Sequence, residues 1–177
     1  MQVRVLEEAG HRWAMLGLSL SYNQPIEKMP AVAAKLLPKG DSHVKFLESI
    51  VVWLDVTAPR YWWQQFDTYR VGVTKQSEST MHTLLKRPLA QGDFERPIPE
   101  TTLHLLNDLI AKKRFDEVKT LLPEGFLQRR VVRANYKTLR HIVGQRHDHC
   151  LPEWQAFIQE VLAQVEHPAY LTVGVLE

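Results

Sequence analysis

A chain of 177 residues, 45% hydrophobic, 24% charged and 9% aromatic, has the composition of an ordinary globular domain with enough apolar material for a substantial core. Its 22 Lys and Arg against 20 Asp and Glu leave a formal charge of +2, which excludes a strongly basic nucleic-acid binder and an acidic solvating tail alike. One cysteine, Cys150, excludes a disulfide framework and a cysteine-rich zinc module, and no apolar run approaches the ~20 residues of a membrane helix.

Met1–Leu6 alternates polar and apolar residues and predicts a half-buried strand, turned at Ala9-Gly10. Trp13–Tyr22 is mostly apolar and fits strand or helix. Glu27–Leu37 has a helical composition and is closed by Pro38-Lys39-Gly40. Ser49–Val56 is short, β-branched and almost continuously apolar, as a buried strand is. Thr57-Ala58-Pro59 predicts a helix start, with Thr57 as N-cap, and Tyr61, Trp62, Phe66 and Tyr69 recur at helical spacing behind it. Val71–His82 has weak periodicity and many hydroxyls, and Leu89–Pro97 is a Gly, Pro and Asp loop, so both predict irregular backbone. Pro99-Glu100 opens a helix with Leu103, Leu106, Leu109 and Ile110 on one face, and Arg114–Leu122 is the next. Asn135–Gly144 and Pro152–Val165 are the last two helices, separated by the polar turn His147-Asp148-His149. With no internal repeat or linker, the expectation is one α+β domain over residues 1–177, helix-rich with a small sheet. Charge at Arg4, Glu7 and Glu8, where a signal peptide would be apolar, points to the cytoplasm, with neither membrane nor nucleic acid as partner.

His141, His147, His149 and Cys150 offer imidazole and thiolate, but their spacing fits no closed zinc pattern, and a polar turn accounts for them without metal. Cys150 lies beside His149, yet adjacent residues on a turn seldom face one another, which argues against a thiolate nucleophile. Eight scattered glycines make no phosphate-binding loop. Cations do gather at Lys119, Arg129, Arg130, Arg133, Lys137, Arg140 and Arg146. They read either as a solvated face or as a pocket for a nucleotide phosphate, whose oxygens match arginine forks, with Ser77, Ser79 and Thr80 offering hydroxyls. Trp62 and Trp63 suit a core or a subunit interface, and a ring-stacking role stays open.

Taken together, several segments resemble the flavin-dependent thymidylate synthases, the ThyX type. That family carries H-x-S-P-F-E-H, a strand, A-P, and then R-H-R-x-x-S-x-N-E-x-S-x-R-Y. His43 and Glu48 match the first element, and Ala58-Pro59 follows the strand in register. Gln65-Phe66 looks like the Gln-Trp that precedes the signature. Thr68-Tyr69-Arg70 then stands over Arg-His-Arg, keeping only the second arginine. After a one-residue insertion, Gln76–His82 lies over N-E-x-S-x-R-Y. Ser79 then keeps the serine, Met81 replaces an arginine that holds the nucleotide phosphate, and the register between Arg70 and Gln76 decides between Ser77 and Ser79. Further on, R-x-x-x-L-P resembles Lys119–Pro123, and N-A-R-x-L-x-H-F-x-x-L-R resembles Asn135–Arg146 at the family's own spacing.

The resemblance implies an α+β fold and a homotetramer whose flavin sites are shared between subunits, with this chain a divergent and shortened relative. It implies FAD as cofactor, met by His43, Arg70, Asn135, Lys137 and His141. It implies a pyrimidine nucleotide as substrate, met by Gln65, Ser77, Ser79, Lys119 and Arg146, with Arg146 against the uracil as the catalytic group. The implied reaction is reductive methylation at C5 of dUMP, with methylenetetrahydrofolate supplying the carbon and NADPH regenerating the flavin. The losses at Thr68, Tyr69 and Met81 leave a second expectation, an inert relative kept as a binding or regulatory module.

Overall fold

In the computed structural model, which describes residues 1–176, β1 (Gln2–Ala9), β2 (Val51–Pro59), β3 (Val73–Ser77) and β4 (Leu127–Asn135) form one antiparallel sheet. Its order is β1-β2-β4-β3. Val52, Leu54 and Val56 of β2 and Val132 and Ala134 of β4 point into the core at the two-residue period of a strand.

Two sequence expectations change here. β2 continues through Thr57, Ala58 and Pro59, which pair with Arg129, Gln128 and Leu127, so Thr57 is a strand residue and no N-cap. α3 (Arg60–Phe66) starts directly after Pro59. Val71–His82 is not wholly irregular, because Val73–Ser77 pairs with β4 as a polar edge strand, a composition that discourages further pairing. It is followed by the single turn α4 (Thr80–Thr83). Leu89–Pro97 keeps its loop character but buries Leu89 and Phe94.

The ambiguous Trp13–Tyr22 segment is helical, as α1 (His11–Tyr22), entered through Gly10 at φ 98. A Cβ on Gly10 would overlap the Ser49 carbonyl, so glycine serves both the left-handed turn and the close approach. α2 (Met29–Leu36) follows. α5 (Glu100–Ala111) and α6 (Phe115–Leu121) carry a small hydrophobic cluster of their own, with Leu106 and Val118 fully buried. The larger cluster packs α1, α3, α7 (Tyr136–Arg146), α8 (Pro152–Gln164) and α9 (Ala169–Thr172) with the inner face of the sheet.

Trp62, Trp63 and Phe66 interlock with Trp154 and Phe157 at ring-centroid distances of 4.7 to 6.2 Å. That settles the tryptophan pair as core and removes it from ring stacking with a ligand. Truncating one of these indoles to alanine costs about 3–5 kcal/mol. No helix among the described residues is long and apolar enough to cross a membrane.

Candidate active site

α7 begins where β4 ends, and the chain 68–72 folds back over that junction. Gly72 makes this possible: its φ is +71, and a Cβ there would overlap the Asn135 amide. The Gly72 carbonyl accepts the Asn135 N–H at 3.1 Å. Asn135 caps α7, its Oδ1 accepting from the Thr138 N–H at 2.9 Å, while the Thr138 hydroxyl lies 2.8 Å from the Val71 carbonyl. With Asp41 and Glu48 on the far side, these elements enclose a cavity of about 570 Å³.

Arg70, Asn135, Lys137 and His141, four of the five expected flavin contacts, line that cavity. Lys137 Nζ pairs with Glu48 at 2.7 Å, which fixes the ammonium at the wall. The Tyr69 ring stands edge-on to His141, centroids 6.0 Å apart, and forms the wall toward α8. Behind it lies Arg146, whose Nε donates to the Tyr69 hydroxyl at 2.8 Å. Its guanidinium sits 4.9 Å from the Trp154 ring centroid. Gln65 Oε1 accepts from Trp154 Nε1 at 2.8 Å and lies 3.5 Å from Arg146 Nη1.

Six of the twelve arginines pair with carboxylates: Arg4 and Arg129 with Asp55, Arg60 with Glu124, Arg87 with Asp93, Arg114 with Glu117 and Arg130 with Asp67. Neither Arg70 nor Arg146 has a carboxylate within ion-pair distance among the described residues, which leaves both charges available to an anionic or electron-rich ligand.

The other predicted residues lie elsewhere. His43 lines a second cavity, against α1 with Trp13 and Phe46, and only Glu48 contributes to both. Ser77 ends the edge strand and Ser79 precedes α4, both exposed. Lys119 donates to Thr80 Oγ1 at 2.5 Å, so the threonine one residue after Ser79 is the hydroxyl that meets it. Burial, and then Arg60, push the Lys119 amine below the ordinary lysine range. Met81 is solvent-exposed.

The cation run divides further. Arg140 belongs neither to a solvated face nor to an anion pocket: it is buried and donates to the backbone carbonyls of Leu37 and Val173 at 2.9 and 2.6 Å. The metal and thiolate readings separate too. His147 pairs with Asp148, and His149 Nδ1 accepts the Leu151 N–H, leaving it 3.9 Å from the exposed Cys150 thiol. Gly72, Thr138 and Asp41 are site residues that sequence reasoning passed over. A threonine three residues after a capping asparagine was the available sign for Thr138.

A sheet covered on one face by helices, with a cavity at a strand-to-helix junction lined by Arg70, Lys137 and His141 beside Asp41 and Glu48, is a frame that suits nucleotide or cofactor binding. The model of the thymidylate synthase complementing protein family matches residues 14–169, and the chain belongs to that family of ThyX-type flavin-dependent thymidylate synthases. No curated protein matches it by sequence. Among solved structures it is similar to the flavin-dependent thymidylate synthase ThyX from Helicobacter pylori complexed with FAD and dUMP, at TM-score 0.80 and 16% identity, covering 100% of both chains. A second structure of Thymidylate Synthase X from H. pylori with FAD and dUMP gives TM-score 0.80 and 15% identity over 100% of this chain and 99% of that one. The likeness shows a common fold end to end, so against these chains the expected shortening is not seen.

Proposed function

We propose that the chain is a flavin-dependent enzyme of the thymidylate synthase type, adding a one-carbon unit reductively to C5 of a pyrimidine deoxynucleotide such as dUMP. FAD is its cofactor, and NADPH and methylenetetrahydrofolate its co-substrates. The observation that carries this reading is the convergence of Arg70, Asn135, Lys137 and His141 on one cavity, with Arg146 directly behind its Tyr69 wall.

The donor set fits the cofactor. A flavin presents carbonyl and ring-nitrogen acceptors and, in FAD, a pyrophosphate, and the cavity offers an uncompensated guanidinium, an ammonium and an imidazole beside the N-terminus of α7. Asn135 serves chiefly as wall and cap, since its Oδ1 is committed to Thr138. When bound and reduced, FAD supplies the hydride that completes the methyl group. The protein's own part is to hold and polarise: Arg146 sets positive charge against the uracil as negative charge develops on it, and Lys119 with Thr80 and the serines at 77 and 79 serves the nucleotide phosphate.

His43 lies outside this cavity, beside Trp13, which is 63% exposed. Its flavin role, and the fate of that apolar surface, are met together if the enzyme is a homotetramer whose sites are completed by a neighbouring subunit. We place the protein in the cytoplasm.

A second reading has its own support. Thr68 and Tyr69 stand where the family has Arg-His, and the exposed Met81 stands where it has the phosphate arginine. These losses favour an inert nucleotide-binding relative. Purified protein separates the two. Flavin absorbance, or FAD binding by titration, together with reduction of the bound flavin by NADPH, is expected for the enzyme. A colourless protein with no affinity for FAD overturns it.

A further inference from the structure

We infer that Tyr69 is a positioning residue for Arg146, and so sets the affinity for the pyrimidine nucleotide at this chain's site. The inference rests on the reading of dUMP as substrate.

Arg146 has five N–H donors in a planar fork. Tyr69 takes Nε–H at 2.8 Å and Gln65 lies 3.5 Å from Nη1, so three donors are without a protein partner among the described residues. The plane itself is held by Trp154, 4.9 Å from its ring centroid, and Trp154 is in turn tied to Gln65 through its indole N–H. Tyr69 is only 7% exposed, and its hydroxyl spends its own proton on Gln145 Oε1 at 3.0 Å. The oxygen is thereby oriented as an acceptor toward Arg146.

Two consequences follow. Nε is the donor nearest the guanidinium's stem, so fixing it aims the far edge, where the free donors lie, without consuming them. The Tyr69 ring also lines the cavity and meets His141 edge-on, so the contact that aims Arg146 is built on the wall of the cofactor cavity. The chain has tyrosine here where the family pattern has histidine. A phenol reaches farther than an imidazole and carries a hydroxyl that accepts from one side while donating on the other.

The test is dUMP binding by calorimetry to the purified protein and to the Tyr69→Phe, Arg146→Lys and doubly substituted variants, with thermal unfolding as the check on folding. Tyr69→Phe removes one oxygen and keeps the ring. It should weaken dUMP binding about tenfold, the effect of one hydrogen bond to a charged group. In the Arg146→Lys background, which has no Nε to hold, the same change should cost nothing further. Wild-type affinity in Tyr69→Phe, or an equal loss in both backgrounds, overturns the inference. If the wild type binds no dUMP, the substrate reading fails, and the contact is judged by phenylglyoxal labelling of Arg146 followed by peptide mass spectrometry. Several-fold faster labelling in Tyr69→Phe sustains the positioning, and an unchanged rate contradicts it.

Discussion

Gly72 shows how one residue without a side chain decides the shape of a binding site. Its left-handed φ and its contact with the Asn135 amide let the chain 68–72 close on α7, which brings Arg70 and Tyr69 to the cavity. Gly72→Ala should therefore lower stability by about 1–3 kcal/mol, from backbone strain together with the overlap. It should also weaken FAD binding, because the wall moves with the strain. Chemical unfolding and FAD titration check the two separately, and a loss of stability with unchanged FAD affinity would detach Gly72 from the site. At this scale the sequence was informative where a side chain's chemistry is itself the clue. Arg70, Lys137 and His141, which the family resemblance assigned to the flavin, line one cavity. The spacing could not reveal that Thr80 would meet Lys119 in place of Ser77 or Ser79, because one inserted residue changes which hydroxyl faces the amine. Nor could it show that Gln65 would reach Arg146 and Trp154, a contact made across 81 and 89 residues of chain.

Among the elements, β4 and α7 position the site, and they differed in legibility. Asn135–Gly144 reads as a helix in the sequence, and α7 spans Tyr136–Arg146 with Asn135 as its cap. β4 stayed hidden because its inward phase, Arg130, Val132 and Ala134, includes an arginine. The structure resolves that conflict by stacking the Arg130 guanidinium 4.3 Å over Trp63 and pairing it with Asp67 at 3.0 Å. The cations of this stretch looked like one feature and divide: Arg129 and Arg130 make sheet ion pairs, Lys137 lines the cavity, Arg146 lies behind its Tyr69 wall, and Arg140 is buried. Arg140 bonds backbone carbonyls at Leu37 and Val173, tying α7 to the end of α2 and to the chain after α9. Arg140→Met leaves those carbonyls unpaired in the interior and should cost about 3 kcal/mol. A fall in the unfolding midpoint of about 10 °C is the expected readout, and an unshifted midpoint would show that the clamp holds nothing. The α+β class was legible because six of the helices are long enough to show their period or their boundary residues. The sheet order was not, since every pairing in it spans distant sequence.

Over the whole molecule, near-neutral net charge conceals an uneven distribution: Arg129 and Arg130 on the sheet and Lys137 at the cavity are ion-paired, whereas Arg70 and Arg146 have no carboxylate partner among the described residues. The exposed Trp13, Leu16 and Leu20 on α1 suit the subunit contact of the proposed tetramer. Sedimentation should give a tetramer, and Trp13→Glu should give smaller species that hold less FAD. A monomeric wild type would contradict this. At the N-terminus of α1, half-buried His11 stacks on His167 at 3.9 Å beside Glu8, Glu166 and Tyr170. Burial, and then the charge of His167, lower its pKa below the ordinary 6.5, against the raising effect of Glu8 and Glu166. The unfolded chain then takes up a proton that the folded chain resists, so stability should fall as pH drops below 6.5 and stay level above it. Urea unfolding across this range should show that slope, and His11→Gln should flatten it. An identical slope in the variant would remove His11 from the effect.

On the proposed function, the cavity and Arg146 together carry out methyl transfer to a pyrimidine nucleotide. Formation of dTMP from dUMP by the purified protein, supplied with FAD, NADPH and methylenetetrahydrofolate, tests it most directly. Product should depend on all three additions and be lost in Arg146→Ala while bound FAD is retained. A wild-type protein that binds FAD and dUMP yet forms no dTMP would contradict it and leave the fold serving as a binding module.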